Sequence, residues 1–171
     1  GRFNNTSDKP IRDYIAQRTR ILAVIGLQGN TFKPHTGTKT SILFLQKWNE
    51  DPDAGPLCPR REDYPIFFAT SQAGGKDTSG EYVYLSDNKG RRLYDLHAHP
   101  MVDHDLFNLR AALADQRDQR LSAARTDKDR AAIRIAFDTK LHFVPDRPGI
   151  ADAFRKWGRG QGFAFCIEDV E

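Results

Sequence analysis

Between Ile21 and Trp48 the sequence ILAVIGLQGNTFKPHTGTKTSILFLQKW places one large apolar side chain, Phe32, in a loop otherwise made of basic and hydroxyl residues, among them Lys33, His35, Thr36, Lys39 and Thr40. Gly29, Asn30, Pro34 and Gly37 supply the turn geometry such a loop needs. Two roles suit a lone aromatic here. It is a loop anchor that plugs back into the core, or it is a stacking face for a flipped nucleobase, with the neighbouring cations available to phosphates. Composition leaves both open.

Three other groupings carry residue types with chemistry. His97, His99, Asp103, His104 and Asp105 are of the kinds that hold zinc or iron. Pro100 interrupts any regular face that would present the histidines together, and Asp103 is accounted for as the cap of the following helix, so no metal site is expected. Gly37-Thr38-Lys39-Thr40 faintly resembles a phosphate loop, but a Walker-type loop needs glycines where this chain has Thr38 and Lys33. Arg60-Arg61 lies in a proline-rich loop and is most simply solvated. Cys58 and Cys166 follow no paired spacing, which argues against a zinc site or a disulfide framework and fits a reducing cytoplasm.

The elements that must position Phe32 follow from hydrophobic patterning. Residues 21–27 and 41–45 are runs of branched apolar residues and read as strands buried on both faces. A helix precedes them, capped by Ser7 and Asp8, with Pro10 in its first turn and Ile11, Tyr14 and Ile15 on the face toward the sheet. Residues 49–63 are too rich in proline for regular structure, and residues 64–70, YPIFFAT, give a third strand with Pro65 near its start. This is the helix-strand-loop-strand grammar of an α/β domain.

The composition turns polar from Ser71, so the main domain is expected to span 1–75 and an accessory part 76–171. In the accessory part, 81–85 and 91–96 read as a hairpin about Asn88-Lys89-Gly90. Residues 106–124 and 127–140 read as a helical hairpin with a capping-box break at Thr126–Asp129. A short helix over 150–157 places Phe154 and Trp157 on its buried side, and 163–167 is a last strand-like run. The arginines of the two long helices alternate with aspartates, which marks a solvated face rather than a DNA stripe.

The chain has 171 residues and a formal charge of +3, a mild basic bias that DNA contact tolerates but does not require. It contains no apolar run near the roughly 20 residues that cross a bilayer and no basic-then-apolar leader. No membrane role is expected, and a cytoplasmic location is. The start at Gly1-Arg2-Phe3 without an initiator Met is read as processing or a cut, although a lost Met followed by Gly gives the same start, and the stop at Asp169-Val170-Glu171 reads as abrupt.

The order of Ile11-Arg12 on a helix, then LAVIGL, then GNTFKPHTGTKTSILFLQKW resembles the segment after the catalytic motif of adenine-N6 DNA methyltransferases, above all the modification subunits of type I restriction systems. The match runs from about Asn4 to Trp48, and a second block, YPIFFATSQAGGKDTSG, extends it from Tyr64 to Gly80. The resemblance implies an α/β fold, the C-terminal part of a Rossmann-like S-adenosylmethionine-dependent methyltransferase sheet, followed by a mostly α-helical extension. It implies that Phe32 stacks on the extruded adenine and that Thr36 to Thr40 belong to the loop beside it; by residue type, Lys33 and His35 join Thr36, Lys39 and Thr40 as candidate loop or DNA contacts. Implied partners are double-stranded DNA with a flipped adenine, a specificity subunit and a restriction subunit.

The family's glycine-rich donor loop and its Asn/Asp-Pro-Pro-aromatic motif are not in this sequence. Asp51-Pro52-Asp53 is no such tetrapeptide, and Gly158, Gly160 and Gly162 are read without the strand before and helix after that a cofactor loop requires. S-adenosylmethionine is therefore expected in the full-length enzyme and not on this chain alone, which is expected to be inactive, with no catalytic residue of its own. The alternative is a non-catalytic DNA- or protein-binding module derived from a methyltransferase.

Overall fold

The computed structural model describes residues 5–167; the expectations that rested on the two chain ends lie outside them. Two compact units divide the chain. One reaches up to Leu27 and resumes over Lys39–Thr70; the other comprises Gln28–Thr38 and the chain from Ser71 onward.

The first unit begins with a single 3-10 turn, Thr6–Asp8, capped by the Asn5 side chain, which accepts from the Ser7 N–H at 3.1 Å. Asp8 stands at the N-cap of the helix that follows, as expected, but its side chain makes no capping hydrogen bond there. Helix α1, Lys9–Arg18, follows with Pro10 in its first turn. It leads into β1, Thr19–Gly26, the centre of a three-stranded sheet of order β2-β1-β3. β2, Ser41–Lys47, pairs antiparallel with β1, Ile25 opposite Ile42, and β3, Phe67–Thr70, pairs parallel to it from Ala23 opposite Phe67. The neighbouring placement of the two apolar runs is as their patterning predicts.

Their burial differs from expectation. Leu22, Ala23 and Ile25 of β1 are buried, whereas Ile42, Phe44 and Leu45 of β2 are exposed, as is Phe68 of β3 at 70%. The cause is position: α1 packs against β1, and edge strands have a neighbour on one side only. The apolar face of α1 is likewise uncovered, with Ile11 and Tyr14 exposed.

In the second unit the expected two-armed hairpin has a third arm. Leu85, Leu93 and Met101, eight residues apart in sequence, form a closed ring of backbone hydrogen bonds. The Leu93 N–H donates to the Leu85 carbonyl at 2.8 Å, Met101 to Leu93 at 2.9 Å, and Leu85 to Met101 at 2.8 Å. An aspartate follows two residues after the first two members and builds the turn to the next arm. Asp87 Oδ1 accepts from the Lys89 and Arg91 N–H groups, and Asp95 Oδ1 from His97 and His99. Each turn ends in a left-handed residue, Gly90 at φ 75° and Ala98 at φ 63°. The third aspartate, Asp103, instead pairs with Arg147.

The three ring side chains point into the unit's core with Leu109, Leu113, Phe137, Leu141 and Val144. Helix α2, Leu109–Ala123, is capped by Asn108, whose Oδ1 accepts from Ala111 at 3.0 Å. Asp103 is therefore not the cap expected, and the helix starts later than residue 106. Helix α3, Asp127–Leu141, packs on α2, and Thr126 and Asp129 cap it reciprocally, the Asp129 N–H donating to Thr126 Oγ1 at 3.1 Å and the Thr126 hydroxyl to Asp129 Oδ2 at 2.7 Å. After α4, Ile150–Gly160, the expected last strand is a short helix, α5, Ala164–Ile167. Its backbone is satisfied locally: Phe163 N–H bonds Gly158 and Cys166 N–H bonds Phe163. Gly158 lets it close, since a Cβ there would stand 2.5 Å from Cys166 Sγ. The whole is a mixed α/β arrangement, a small mixed sheet in one unit and mainly helices in the other. Among the described residues no helix is long and apolar enough to cross a membrane.

Candidate nucleic-acid interface

The loop that carries Phe32 belongs to the second unit, and the segment around Lys76 holds it. Within the loop, Thr31, Lys33 and Thr36 donate their N–H groups to the carbonyls of Gln28, Asn30 and Phe32, giving successive turns. Across to the other segment, Lys33 Nζ donates to the Thr78 carbonyl at 2.6 Å, Lys76 Nζ donates back to the Lys33 carbonyl at 2.8 Å, and Asn30 Nδ2 reaches the Lys76 carbonyl at 3.4 Å. The receiving segment is itself shaped by Asp77, whose Oδ1 accepts from the N–H groups of Ser79, Gly80 and Glu81 and from the Ser79 hydroxyl. The Ser79 hydroxyl, seconded by those backbone N–H groups, holds the Asp77 carboxyl below its usual range.

On this frame Phe32 is 45% exposed. A ring left that open on a loop with three ties is not a core plug. His35 and Thr36 are also exposed, with Thr36 Oγ1 bonded to the Thr38 hydroxyl at 3.1 Å. Lys39 and Thr40 go with the sheet unit instead. The Thr40 carbonyl continues the β1–β2 ladder by accepting from the Leu27 N–H, while its hydroxyl is buried without a partner.

The residues that sequence reasoning passed over are Lys76, Asp77, Thr78 and Gly80. Their segment reads as flexible glycine-rich linker, yet an aspartate followed by serine at the second position and glycine at the third is the signal of an Asx turn. Beside them Tyr82 and Tyr84 pack at 6.1 Å between ring centroids, with Lys76 Nζ 5.3 Å from the Tyr82 ring and the Arg92 guanidinium 4.3 Å from the Tyr84 ring.

The histidine-aspartate cluster is dispersed over separate tasks. His99 Nδ1 lies 3.4 Å from Asp95, and His104 rests edge-on against Phe107 with ring centroids 4.6 Å apart. Asp105 accepts from the Ser71 hydroxyl at 2.6 Å and from the Gln72 and Ala73 N–H groups. Burial pushes the His104 pKa below its ordinary value, against the pull of Asp105 and Asp103. Among the described residues no group of three or more potential ligands converges on one point. Cys58 and Cys166 are buried, and burial raises the pKa of both thiols, so neither is poised as a nucleophile.

What this surface offers is a held aromatic face with ammonium groups beside it, which is binding chemistry rather than bond-making chemistry. Set against models of protein families, curated proteins and solved structures, the chain matches none.

Proposed function

We propose that this chain supplies the target-base side of an S-adenosylmethionine-dependent DNA adenine-N6 methyltransferase of a restriction-modification system, with Phe32 as the ring on which the extruded adenine lies. The observation that carries this is the pairing of exposure with restraint. Phe32 is 45% exposed, yet its loop is tied by the reciprocal Lys33 and Lys76 bonds. Stacking needs both, because a buried face cannot receive a base and an unrestrained one loses the gain to ordering entropy. Further support comes from where the resemblance falls: its two blocks contain, respectively, the Phe32 loop and the Lys76–Gly80 segment that buttresses it. The exposed apolar side chains of β2 and β3 suit a sheet that continues into further structure.

The glycines do not form a donor site. Gly158 and Gly160 lie within α4 and Gly162 in the turn after it, so they make no strand-loop-helix cradle for S-adenosylmethionine. The chain's own part is to hold the adenine ring while the amino group is methylated by machinery outside this sequence. Double-stranded DNA, a specificity subunit and a restriction subunit are the partners this reading carries with it, in the cytoplasm.

The test is Phe32→Leu in the full-length enzyme. Loss of base stacking worth about 1–3 kcal/mol should lower methylation efficiency roughly five- to 150-fold. Duplex affinity, set mainly by phosphate contacts, and thermal stability should hold, and Phe32→Tyr should be far milder. Wild-type methylation by Phe32→Leu would overturn the assignment and favour a non-catalytic binding module descended from such an enzyme.

A further inference from the structure

Some basic side chains in this protein are held by carboxylates: Lys9 by Asp13, Arg91 by Asp87, Arg117 by Asp118 and Asp138, Arg130 by Asp127, Arg147 by Asp103; others, such as Arg18 on the Tyr14 ring and Lys140 on the Tyr94 carbonyl, are held by uncharged groups. Three cations of the second unit that are linked to one another through their contacts are of the second kind. Lys33 is fixed by the Thr78 carbonyl, Lys76 by the Lys33 carbonyl and the Tyr82 ring, and Arg92 by the Tyr84 ring. All these partners are uncharged, and among the described residues none of the three cations has an ion-pair partner.

The chemistry of such a hold is specific. An ammonium bonded to one carbonyl keeps two N–H donors, and a guanidinium lying on a tyrosine face keeps its edge of N–H groups for a second partner. Each side chain is ordered in advance while its charge stays uncompensated, so an anion arriving there meets full charge at reduced entropic cost. The nearby carboxylates do not supply that anion: Asp77 is engaged by its own turn, and Asp87 by its turn and Arg91.

The cations are linked in series. Lys33 touches Lys76, Lys76 faces Tyr82, Tyr82 packs on Tyr84, and Tyr84 carries Arg92. With two rings between Lys76 and Arg92 they do not converge on one small anion; a partner carrying anions in series satisfies them. Arg92 also shares a cleft of about 520 Å³ with Lys140, which is again held by a carbonyl, that of Tyr94 at 2.9 Å.

We propose that Lys33, Lys76 and Arg92, spaced by Tyr82 and Tyr84, are a contact track for the phosphodiester backbone of duplex DNA. This deepens the proposed function and rests on its DNA-binding part, not on base stacking.

The test is fluorescence anisotropy of the 171-residue chain with a fluorescein-labelled duplex. Over about 50 to 200 mM salt, each lost phosphate contact should flatten the slope of log affinity against log salt by about 0.9, which shrinks the salt-induced loss of affinity by about 3.5-fold. Arg92→Gln and Lys76→Gln should each do this, whereas Lys128→Gln, which removes the same charge from the exposed side of α3, should not. Tyr84→Ala should act like Arg92→Gln, and Tyr84→Phe should not. Circular dichroism checks the fold of each variant, and exposed Arg92 carries the test if Lys76→Gln unfolds.

Equal slopes for Arg92→Gln, Lys128→Gln and wild type would overturn the track, as would a chain that shows no salt-dependent duplex binding. The two proposals fail separately. Normal methylation by Phe32→Leu with an intact Arg92 slope effect removes the stacking role and leaves the track, and the opposite pair of results does the reverse.

Discussion

Gly80 backs directly onto Pro34. A Cβ on Gly80 would stand 2.6 Å from the Pro34 nitrogen and 2.8 Å from the Lys33 carbonyl carbon, both backbone atoms that no rotamer change can move aside. Its φ of 98° is also one that L side chains rarely adopt. The Phe32 loop thus lies against a surface that only glycine can provide.

Gly80→Ala is expected to cost more than Gly90→Ala. Gly90 shares the positive φ, 75°, but a Cβ there meets nothing within 4 Å, so its substitution carries only the left-handed penalty of about 1–2 kcal/mol. Gly80→Ala adds the backbone clash and should loosen residues 28–38. Denaturant melts of both variants, with hydrogen exchange on the loop amides, measure this. Equal costs and an unchanged loop would mean that the close approach does not constrain Phe32.

The Asp77 turn gives the same loop a pH dependence. Its carboxyl titrates below the ordinary 3.8 in the folded state because the Ser79 hydroxyl and backbone N–H groups bond the charged form. The unfolded chain therefore binds the proton first as pH falls. The stabilisation is complete above the unfolded value and is lost as pH drops through the folded one. NMR titration of Asp77 should place its midpoint under 3.8, and Ser79→Ala should move it up. Asp77→Asn keeps the acceptor oxygen, so the loop should persist while this part of the acid dependence vanishes.

Much of the fold was legible where its signals are local. Branched apolar runs announced β1 and β2, and Thr126 with Asp129 announced the start of α3. The exposure of β2 was not legible, since burial is set by what covers a strand and not by its composition. The third arm of the Leu85–Leu93–Met101 ring escaped because Gly90 marks its turn openly while Ala98 takes the equivalent left-handed position without a glycine. The run 163–167 has strand-like composition, but a strand needs a neighbour for its N–H groups, and a helical turn on Gly158 satisfies them locally. For Phe32 the residue types left anchor and platform equally open. Its exposure is decided by contacts such as Lys33 to Thr78, 45 positions apart in sequence, which no window of local sequence contains.

S-adenosylmethionine should bind this chain no more than weakly. The glycines nearest to a donor-loop pattern sit in and after α4, where Gly158 is packed against Cys166 and Phe163 and presents no row of free N–H groups to a ligand. Titration calorimetry on the chain decides it: an affinity in the micromolar range, about −8 kcal/mol, would place a cofactor site elsewhere than at these glycines.

Thr40 separates what the fold needs from what a complex needs. Its hydroxyl is buried with no hydrogen-bond partner among the described residues, and an unsatisfied buried polar group costs about 1–3 kcal/mol. Valine replaces that hydroxyl by a methyl group of similar shape and leaves no other group unpaired. Thr40→Val is therefore expected to leave the melting temperature unchanged or raise it. If the hydroxyl is kept because DNA completes its hydrogen bond in the full-length enzyme, the same substitution should lower methylation efficiency by roughly five- to tenfold, the equivalent of one lost hydrogen bond of about 1 kcal/mol or slightly more. Thr40→Ser, which retains the donor, should recover most of the activity. A Thr40→Val enzyme that is less stable would show that the hydroxyl has a partner in the folded protein. One that is as stable and as active as wild type would show that no DNA group uses it.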